Sequence, residues 1–299
     1  MTTRSGLRGR WRLYLAMRTL LVVVLAGLVA ELAWLAWSPP DLRIPAETSL
    51  GLLIGIGVLA AAAEYVDSSV GMGFGTVVAP VLLLLGFGLE AVLPAVLVSE
   101  TVSGSVAALL HHRAANVDFS RGSSDRRVVA KMLPAALLGA AAGGAMGGWL
   151  EAFPGDVVVG AVILAAGSLL LVRRHTTHDV RWGRVVMLGV MAAVAKGVSS
   201  AGFGPVVTSG QIVIGLPERD AVGITSALEA PVSLVALATF GLVAAWPAPS
   251  LTVALTLGAL VGVPPAVWTV RLLPTRSIRL AVGLLACVLG ALAVFAGLT

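Results

Sequence analysis

The stretch YVDSSVGMGFGTVVAP, residues 65–80, decides the fold, because it places polar residues and glycines inside a hydrophobic run. It holds one aspartate, two serines and three glycines at G-x-G-x-G spacing, between GLLIGIGVLAAAAE and VLLLLG. Each glycine weakens a helix by about 1 kcal/mol relative to alanine, so an interrupted helix is expected here. In lipid, unpaired backbone groups are costly, and such a break persists only inside protein or beside a water-filled cavity.

The composition around this stretch is that of a membrane protein. Of 299 residues, 58% are hydrophobic and 12% charged, and the mean hydropathy is +0.98. A soluble domain is about 25% charged. The apolar runs are continuous, whereas the strands of an outer-membrane barrel alternate between apolar and polar residues. The sequence therefore predicts an all-α polytopic membrane protein.

The basic residues cluster in short linkers between apolar runs, at 4–12, 113–131, 173–184 and 271–279. This is the positive-inside pattern of a plasma-membrane protein, and it argues against a nucleic-acid partner. With a cytoplasmic N-terminus, nearly all Lys and Arg residues lie inside and the C-terminus lies outside. The tryptophans near segment ends fit interfacial anchors. They are Trp34, Trp37, Trp149, Trp182, Trp246 and Trp268.

The chain divides into an N-terminal region and two sets of five apolar runs. Residues 1–49 comprise a basic tail, an apolar run at 13–37 and an outer loop; a retained anchor helix is favoured there over a cleaved signal peptide. A first repeat is expected at 50–173, a basic cytoplasmic linker at 174–183 and a second repeat at 184–299. The runs lie at about 50–66, 74–87, 91–112, 128–149, 155–172, 184–200, 203–215, 220–244, 250–270 and 277–297.

The two sets resemble each other at a nearly fixed offset. GFG at 73–75 matches GFG at 202–204, an offset of 129, and Glu100 matches Glu229 at the same offset. Gly160 and Gly167 match Gly283 and Gly290 at a slightly different offset. The first set starts outside and the second inside, so the sequence predicts an inverted repeat with interrupted helices, as in many secondary transporters.

The run after each break is too short to cross a bilayer. Thirteen helical residues reach about 20 Å, against a hydrocarbon core of about 30 Å. Each is predicted to be a half-helix whose N-terminus, with free N–H groups and a positive dipole end, can bind an anion. The candidate substrate-binding residues are Ser68, Ser69, Gly71, Gly73, Gly75, Thr76, Lys196, Ser199, Ser200, Gly202 and Gly204. Gln211, Thr225 and Ser226 are further candidates for the same cavity.

Five ionisable residues fall within the predicted spans of the repeats. They are Glu64, Asp67, Glu100, Lys196 and Glu229. Such residues are costly in lipid and are functional candidates. Lys196 is a candidate counter-charge for an anion, or half of a structural ion pair. Glu100 and Glu229 are candidates for proton carriage or for structural hydrogen bonds, and Asp67 is a candidate cap for the break.

Other motifs have simpler interpretations. GGAMGG at 143–148 favours close helix packing. A nucleotide-binding loop is rejected, because it needs a βαβ context. His111, His112, His175 and His178 are expected to be solvated, and Cys287 to be a packing residue. No Cys/His cluster has metal-ligand spacing, so neither a metal nor a cofactor is predicted. The sequence is compatible with a homo-oligomer.

Residues 50–297 resemble the sulfite/organosulfonate exporter family of the TauE/SafE type. The resemblance rests on YVDSSVGMGFGTVVAPVLLLLGF at 65–87, RAANVDF at 113–119 and AKGVSSAGFGPVVTSGQIVIGLPERDAVGITSALEA at 195–230. It implies movement of small sulfur oxyanions or sulfonates, mostly export, linked to the proton gradient. Phe74 and Phe203 stand within what is typically a triple glycine, which would reshape the site.

The leading hypothesis is thus a secondary transporter for a small anion such as sulfite or an organosulfonate. A cation- or metal-coupled transporter is the alternative, favoured by four acidic residues against one lysine. An intramembrane hydrolase using Lys196 and Ser199 is a minor alternative, and a structural or receptor role is a further one. The sequence contains no ATPase motif, so we expect the energy to come from a gradient or a partner.

Overall fold

The computed structural model describes residues 49–146, 155–172, 182–198, 203–241 and 249–296. Side chains are not described for 143–146, 155–156, 193–198, 240–241 and 296. Within the described ranges the chain forms ten helices and no strand. The helices are α1 (Leu50–Val70), α2 (Phe74–Leu84), α3 (Leu89–Arg113), α4 (Ser124–Met146), α5 (Gly155–Val172), α6 (Trp182–Val198), α7 (Phe203–Val213), α8 (Glu218–Gly241), α9 (Pro249–Leu272) and α10 (Thr275–Ala296).

Five of these helices are long and apolar enough to cross a bilayer, counted over the described residues. They are Leu50–Val70, Leu89–Arg113, Glu218–Thr239, Pro249–Leu272 and Thr275–Phe295. Side chains on their outer faces, such as Ile54, Val261 and Leu284, are apolar and exposed, as expected beside lipid tails. The predicted all-helical polytopic membrane protein is confirmed.

The first break in the helix contains fewer residues than the sequence suggests. The sequence places the end of the first apolar run at about 66, but the helix continues to Val70, so Ser68 and Ser69 lie within the last turn of α1. Only Gly71, with φ 79°, and Gly73, with φ 144°, take left-handed backbone angles that favour glycine. Gly75 already lies in the first turn of α2. Serine costs a helix far less than glycine, and the buried surroundings keep this pair helical.

Helices α1 and α2 form a hairpin, so the chain comes back towards the end of the bundle at which α1 begins. Helices α1 and α3 run parallel, because the Ser103 hydroxyl donates to Glu64 Oε2 (3.0 Å) and, farther along both helices, the His111 ring nitrogen lies 3.0 Å from Ser68 O. The chain turns at Gly71–Gly73, and Gly73 packs back against Val66. Since only four residues join α2 to α3, α2 ends beside the start of α3, near the start of α1.

The opposite end of the bundle gathers most of the described basic residues. Helices α4, α6, α8 and α10 begin there, and α3 and α9 end there. The contacts that join them are Asn116 Nδ2 to Val267 O (3.0 Å), Arg219 Nη2 to Leu273 O (2.7 Å), Arg279 Nη1 to Glu218 Oε1 (3.5 Å) and Lys131 Nζ over the Trp182 ring (4.9 Å). We call this the basic end; it carries the exposed Arg113, Arg127 and Arg271.

The second short helix points towards the basic end. Helix α7 is joined by residues 214–217 to α8, which begins at the basic end with Glu218. Helix α6 also begins there, at Trp182, and packs against α7. The two short helices α2 and α7 therefore run towards opposite ends of the bundle.

The most extensive helix contacts keep their pattern when the first five helices are exchanged with the last five. Helix α1 packs on α9 as α6 packs on α4, and α3 packs on α9 as α8 packs on α4. The pairs α3–α8 and α5–α10 each contain corresponding helices of the two sets. The core thus lies around α3 and α8, with the short helices α2 and α7 packed against them.

Small residues bring the α5–α10 pair into backbone contact. A Cβ atom added at Gly290 would lie 2.5 Å from Leu164 N and 2.7 Å from Gly160 O. One added at Gly167 would lie 2.9 Å from Gly283 O. The four glycines that matched in the sequence thus meet at one interface, which has the small-residue packing common in membranes.

We expect Gly290→Ala to destabilise the protein by about 1–3 kcal/mol, because the new methyl group meets backbone that cannot move alone. Gly55→Ala is the matched control, since a Cβ atom there has no neighbour within 4 Å. It should be neutral or slightly stabilising, as alanine favours a helix over glycine. Thermal unfolding in detergent checks the difference; equal melting temperatures would show that the interface relaxes freely.

Several sequence predictions lie outside the described residues. These are the anchor helix at 13–37, residues 174–181 of the basic linker, residues 147–148 of GGAMGG, His175, His178, Trp34, Trp37, Trp149 and Trp246. The described tryptophans lie at the basic end. Trp182 begins α6, and Trp268 near the end of α9 has the Arg271 guanidinium 5.4 Å from its ring. Both positions suit interfacial anchors.

Candidate functional site

The turn after α1 packs directly against α7. The Thr208 hydroxyl donates to Gly71 O (2.7 Å), and a Cβ atom added at Gly204 would lie 2.9 Å from the same oxygen. Thr208 Oγ1 also lies 2.8 Å from Thr225 Oγ1 of α8. The first break and the start of the second short helix therefore share one buried interface.

Both phenylalanines of the two GFG motifs are part of this core. Phe74 is 0% and Phe203 1% exposed. Each begins a short helix, so its ring is packed in protein beside a helix N-terminus.

Two carboxylates meet the N-terminus of α2. Asp67 Oδ1 accepts a hydrogen bond from Phe74 N (3.2 Å), which is the capping contact expected of Asp67. Glu100 Oε1 lies 2.6 Å from where a Cβ atom of Gly75 would be. Negative charge is stabilised at a helix N-terminus by the free N–H groups and the dipole. These carboxylates occupy the position that the sequence suggests for an anion.

Hydroxyl groups tie the buried carboxylates to neighbouring helices. Glu64 of α1 accepts from Ser68 (2.7 Å) and from Ser103 of α3 (3.0 Å). Glu100 of α3 accepts from Ser233 of α8 (2.8 Å). A buried carboxyl group is stable only with such donors, so the polar residues connect α1, α3 and α8 in one network.

Some of the candidate residues have hydrogen-bond partners within the protein, one hydroxyl has none among the described residues, and others lie outside the described part of the chain. The hydroxyls of Ser68 and Thr76 donate within the protein, to Glu64 and to Gly73 O. The Ser69 hydroxyl is buried and has no hydrogen-bond partner among the described residues. Glu229 is buried on α8 at 6% exposure. Ser199, Ser200, Gly202 and the side chain of Lys196 lie outside the described residues, although Lys196 belongs to α6.

The prediction that all histidines are solvated is wrong for His111. This residue is 0% exposed, whereas the neighbouring His112 is exposed. His111 Nε2 donates to Ser68 O (3.0 Å), since a carbonyl can only accept, and Nδ1 accepts from Asn116 Nδ2 (3.0 Å). Ser68 O is one of the last carbonyls of α1, which the break leaves without a helical partner. His111 therefore caps the end of α1.

Sequence reasoning did not single out Ser103, His111, Thr208 or Ser233. Each of them is hydrogen-bonded to a residue that the sequence analysis did single out, namely Glu64, Ser68, Gly71 and Glu100. On α3 the signal was present, because Glu100, Ser103 and His111 lie at i, i+3 and i+11 and so share one face. The i+4 spacing of Glu229 and Ser233 on α8 is a similar signal.

A cavity of about 340 Å³ opens at the basic end. Asn116, Asp118, Asp125 and Asp220 are among its lining residues. A hydrogen bond from the backbone N–H of Ser120 lowers the pKa of Asp118, which keeps this exposed carboxylate ionised. In the described part of the chain, no group of three or more His, Cys, Asp or Glu side chains could hold a metal ion.

Comparisons with known proteins agree with this architecture. The family profile described as sulfite exporter TauE/SafE matches residues 53–293. The chain is similar to the probable membrane transporter protein YtnM of Bacillus subtilis strain 168, with 26% identity over 235 residues. That alignment covers 72% of this chain and 73% of YtnM. No solved structure matches the chain.

The matched region contains every residue of the central polar network and both short helices. It also extends over most of the chain, from the second turn of α1 into the last turns of α10. The protein is therefore a member of the sulfite exporter TauE/SafE family, a family of multi-pass membrane transporters.

Proposed function

We propose that the protein is a secondary transporter that exports a small anion, sulfite or an organosulfonate, in a proton-coupled cycle. The substrate site lies between the two breaks and uses Ser68, Ser69, Thr76, Ser199 and Ser200 and the glycines at 71, 73, 75, 202 and 204. The hydroxyls of Ser68 and Thr76, which donate to Glu64 and to Gly73 O, would turn towards the anion when it binds. Lys196 supplies a counter-charge. The family assignment supports transport of this kind.

One observation carries the proposal, namely the direct contact between the turn after α1 and the start of α7. Gly71 O accepts from Thr208, and Gly204 approaches the same oxygen. Interrupted helices that meet near the centre of a bundle form the substrate sites of many secondary transporters. Their unpaired backbone groups can hold an ion without a dedicated charged side chain.

The packing supports an inverted repeat of residues 50–173 and 184–299. The short helices α2 and α7 run to opposite ends, and helix contacts persist when the two sets are exchanged. Rocking of one set against the other would expose the site to each side in turn. By the positive-inside rule the basic end faces the cytoplasm. With the anchor helix expected at 13–37, we propose a cytoplasmic N-terminus and a location in the plasma membrane.

Glu100 is suited to link proton and anion binding. Its ionised carboxylate competes with an anion for the N-terminus of α2, because like charges repel strongly in a low dielectric. A proton on Glu100 removes that competition and leaves a hydroxyl donor. Proton and anion would then bind together, with Glu229 in the equivalent position of the second repeat. Net export follows the outward anion gradient.

We expect Glu100→Gln to lose most of the pH dependence of transport while it still moves the anion, because glutamine imitates the protonated side chain. In the wild type, counterflow should fall as the pH rises, because the proposed cycle needs a bound proton. Counterflow of methanesulfonate, an anion that does not itself titrate in this range, is measured in proteoliposomes between pH 6 and pH 8. Glu229→Gln is tested in parallel.

Glu90→Gln is the control, since Glu90 lies in the first turn of α3 at the exposed rim and outside the polar network. It should keep the wild-type pH profile. If neither Glu100→Gln nor Glu229→Gln changes the profile, proton coupling through these carboxylates is wrong. If the wild type shows no counterflow of any sulfur oxyanion or sulfonate, the proposed substrate class is wrong.

A cation- or metal-coupled transporter is the second candidate. The observation that favours it is the burial of four carboxyl groups near the centre, on Glu64, Asp67, Glu100 and Glu229. Carboxylate and carbonyl oxygens suit hard cations. Uptake that depends on sodium or a divalent ion and occurs without anion flux would establish this candidate in place of the first.

The intramembrane hydrolase is the weakest candidate. It relies on Ser199 and on the side chain of Lys196, which lie outside the described residues. The family assignment points to transport and not to catalysis. Hydrolytic activity that Ser199→Ala removes while transport persists would be needed to revive it.

A further inference from the structure

Gln211 of α7 is a buried amide without partners among the described residues. Its side chain is 0% exposed, and neither Nε2 nor Oε1 makes a hydrogen bond. A buried polar group normally has a partner, and one left unpaired lowers stability. Elsewhere on α7, buried positions are occupied by apolar side chains such as Val206 and Val207. An amide whose nitrogen and oxygen both lack a hydrogen-bond partner therefore indicates that a ligand binds at this position.

The position of Gln211 extends the interface between the two breaks towards the basic end. Gly204, Thr208 and Gln211 lie at i, i+4 and i+7, on one face of α7. The first two residues of this stripe contact Gly71 O. The third lies one turn farther along α7, and the backbone N–H of Leu216 returns to Gln211 O (3.0 Å) as the chain turns towards α8.

The two unpaired atoms define the chemistry of the missing partner. Nε2 can only donate and Oε1 can only accept, so full pairing needs a ligand with both an acceptor and a donor. A sulfonate group offers acceptors alone, as does the sulfite dianion. Bisulfite is the singly protonated form of sulfite. Its oxygen-protonated tautomer has unprotonated oxygens that accept and a hydroxyl group that donates. It satisfies both amide atoms at once.

We infer that Gln211 is a specificity-determining residue that selects bisulfite over unprotonated anions. This inference rests on the proposed function, since it concerns the substrate of the same site. Binding energy from a polar site distinguishes strongly between ligands that do and do not fill its hydrogen bonds, because an unsatisfied buried group opposes the wrong ligand. One transported proton then moves on the substrate itself, in addition to the proton that binds at Glu100.

The test uses the full-length chain in proteoliposomes and compares Gln211→Met with the wild type. Methionine has a similar length and no amide. We expect the KM for sulfite, measured near neutral pH where bisulfite is present, to rise at least about tenfold. The KM for methanesulfonate, which has no proton to donate, should change less than about twofold by the same reasoning. The melting temperature should equal or exceed that of the wild type, because an unpaired polar group has been removed.

Ser209→Ala is the matched control. Ser209 is buried on the same short helix, but its hydroxyl already donates to Pro205 O of its own helix. It should keep both KM values. Gln211→Asn, which retains the amide on a shorter stem, guards against a folding defect and should give a smaller rise for sulfite than Gln211→Met.

Each other outcome overturns the inference in a distinguishable way. A Gln211→Met variant that is more stable and has the wild-type KM for sulfite would show a core residue without contact to substrate. Equal rises for sulfite and methanesulfonate would show a general contact without selection for the protonated anion. A wild-type protein that moves neither anion would overturn the proposed function itself, and the inference with it.

Discussion

Gly71→Ala is expected to abolish counterflow and to destabilise the protein more than any other single glycine substitution at the breaks. Gly71 has φ 79°, a left-handed conformation that costs a residue with a Cβ atom about 1–2 kcal/mol. The added methyl group would also overlap the Thr208 side chain, which donates to Gly71 O and pairs with Thr225. Overpacking of this kind costs about a further 1–3 kcal/mol.

The chain offers a control that separates these two costs. Gly122, in the loop between α3 and α4, has φ 90° and would have no neighbour within 4 Å of an added Cβ atom. Gly122→Ala therefore carries the backbone strain alone and should leave counterflow intact. Thermal unfolding and counterflow are measured on both variants. If Gly71→Ala is no worse than Gly122→Ala, the contact between the first turn and α7 is not critical.

The helices themselves could be predicted from the sequence with little error. Continuous apolar runs predicted all ten, and the expected bounds differ from the observed ones by a few residues. Helix α2, for example, ends at Leu84 instead of 87. Hydropathy predicts the helices well here, because a chain in lipid must form its backbone hydrogen bonds within each helix. The glycine pairs at α5 and α10 were visible as a repeat, although their mutual contact was not.

The hydrogen-bond partners at the site could not be predicted, because they are distant in sequence. Glu100 and Ser233 are 133 positions apart, and Gly71 and Thr208 are 137 apart. A serine in a membrane helix can also bond to its own backbone, as Ser209 does, so its presence alone assigns no partner. His111 was misjudged because the basic residues beside it mark a membrane surface, whereas its ring points into the bundle.

His111→Leu is expected to lower stability by about 2–4 kcal/mol and to reduce transport strongly. The substitution removes the donor to Ser68 O, a buried carbonyl at the end of α1, and one acceptor for Asn116. Each buried group left unpaired costs about 1–3 kcal/mol. Asn116 also donates to Val267 O, so the loss loosens the contact between α1, α3 and α9 at the basic end.

His112→Leu is the comparison that isolates the buried position. His112 is exposed, and its Nδ1 accepts from Phe119 N (3.2 Å) within the neighbouring loop, so we expect a smaller loss of stability and normal transport. His111→Gln should recover part of the loss, because an amide Nε2 can still donate to Ser68 O. Thermal unfolding and counterflow decide the matter. If His111→Leu unfolds at the same temperature as His112→Leu, the histidine does not hold the end of α1, and the turn at Gly71 must be fixed by Asp67 and Thr208 alone.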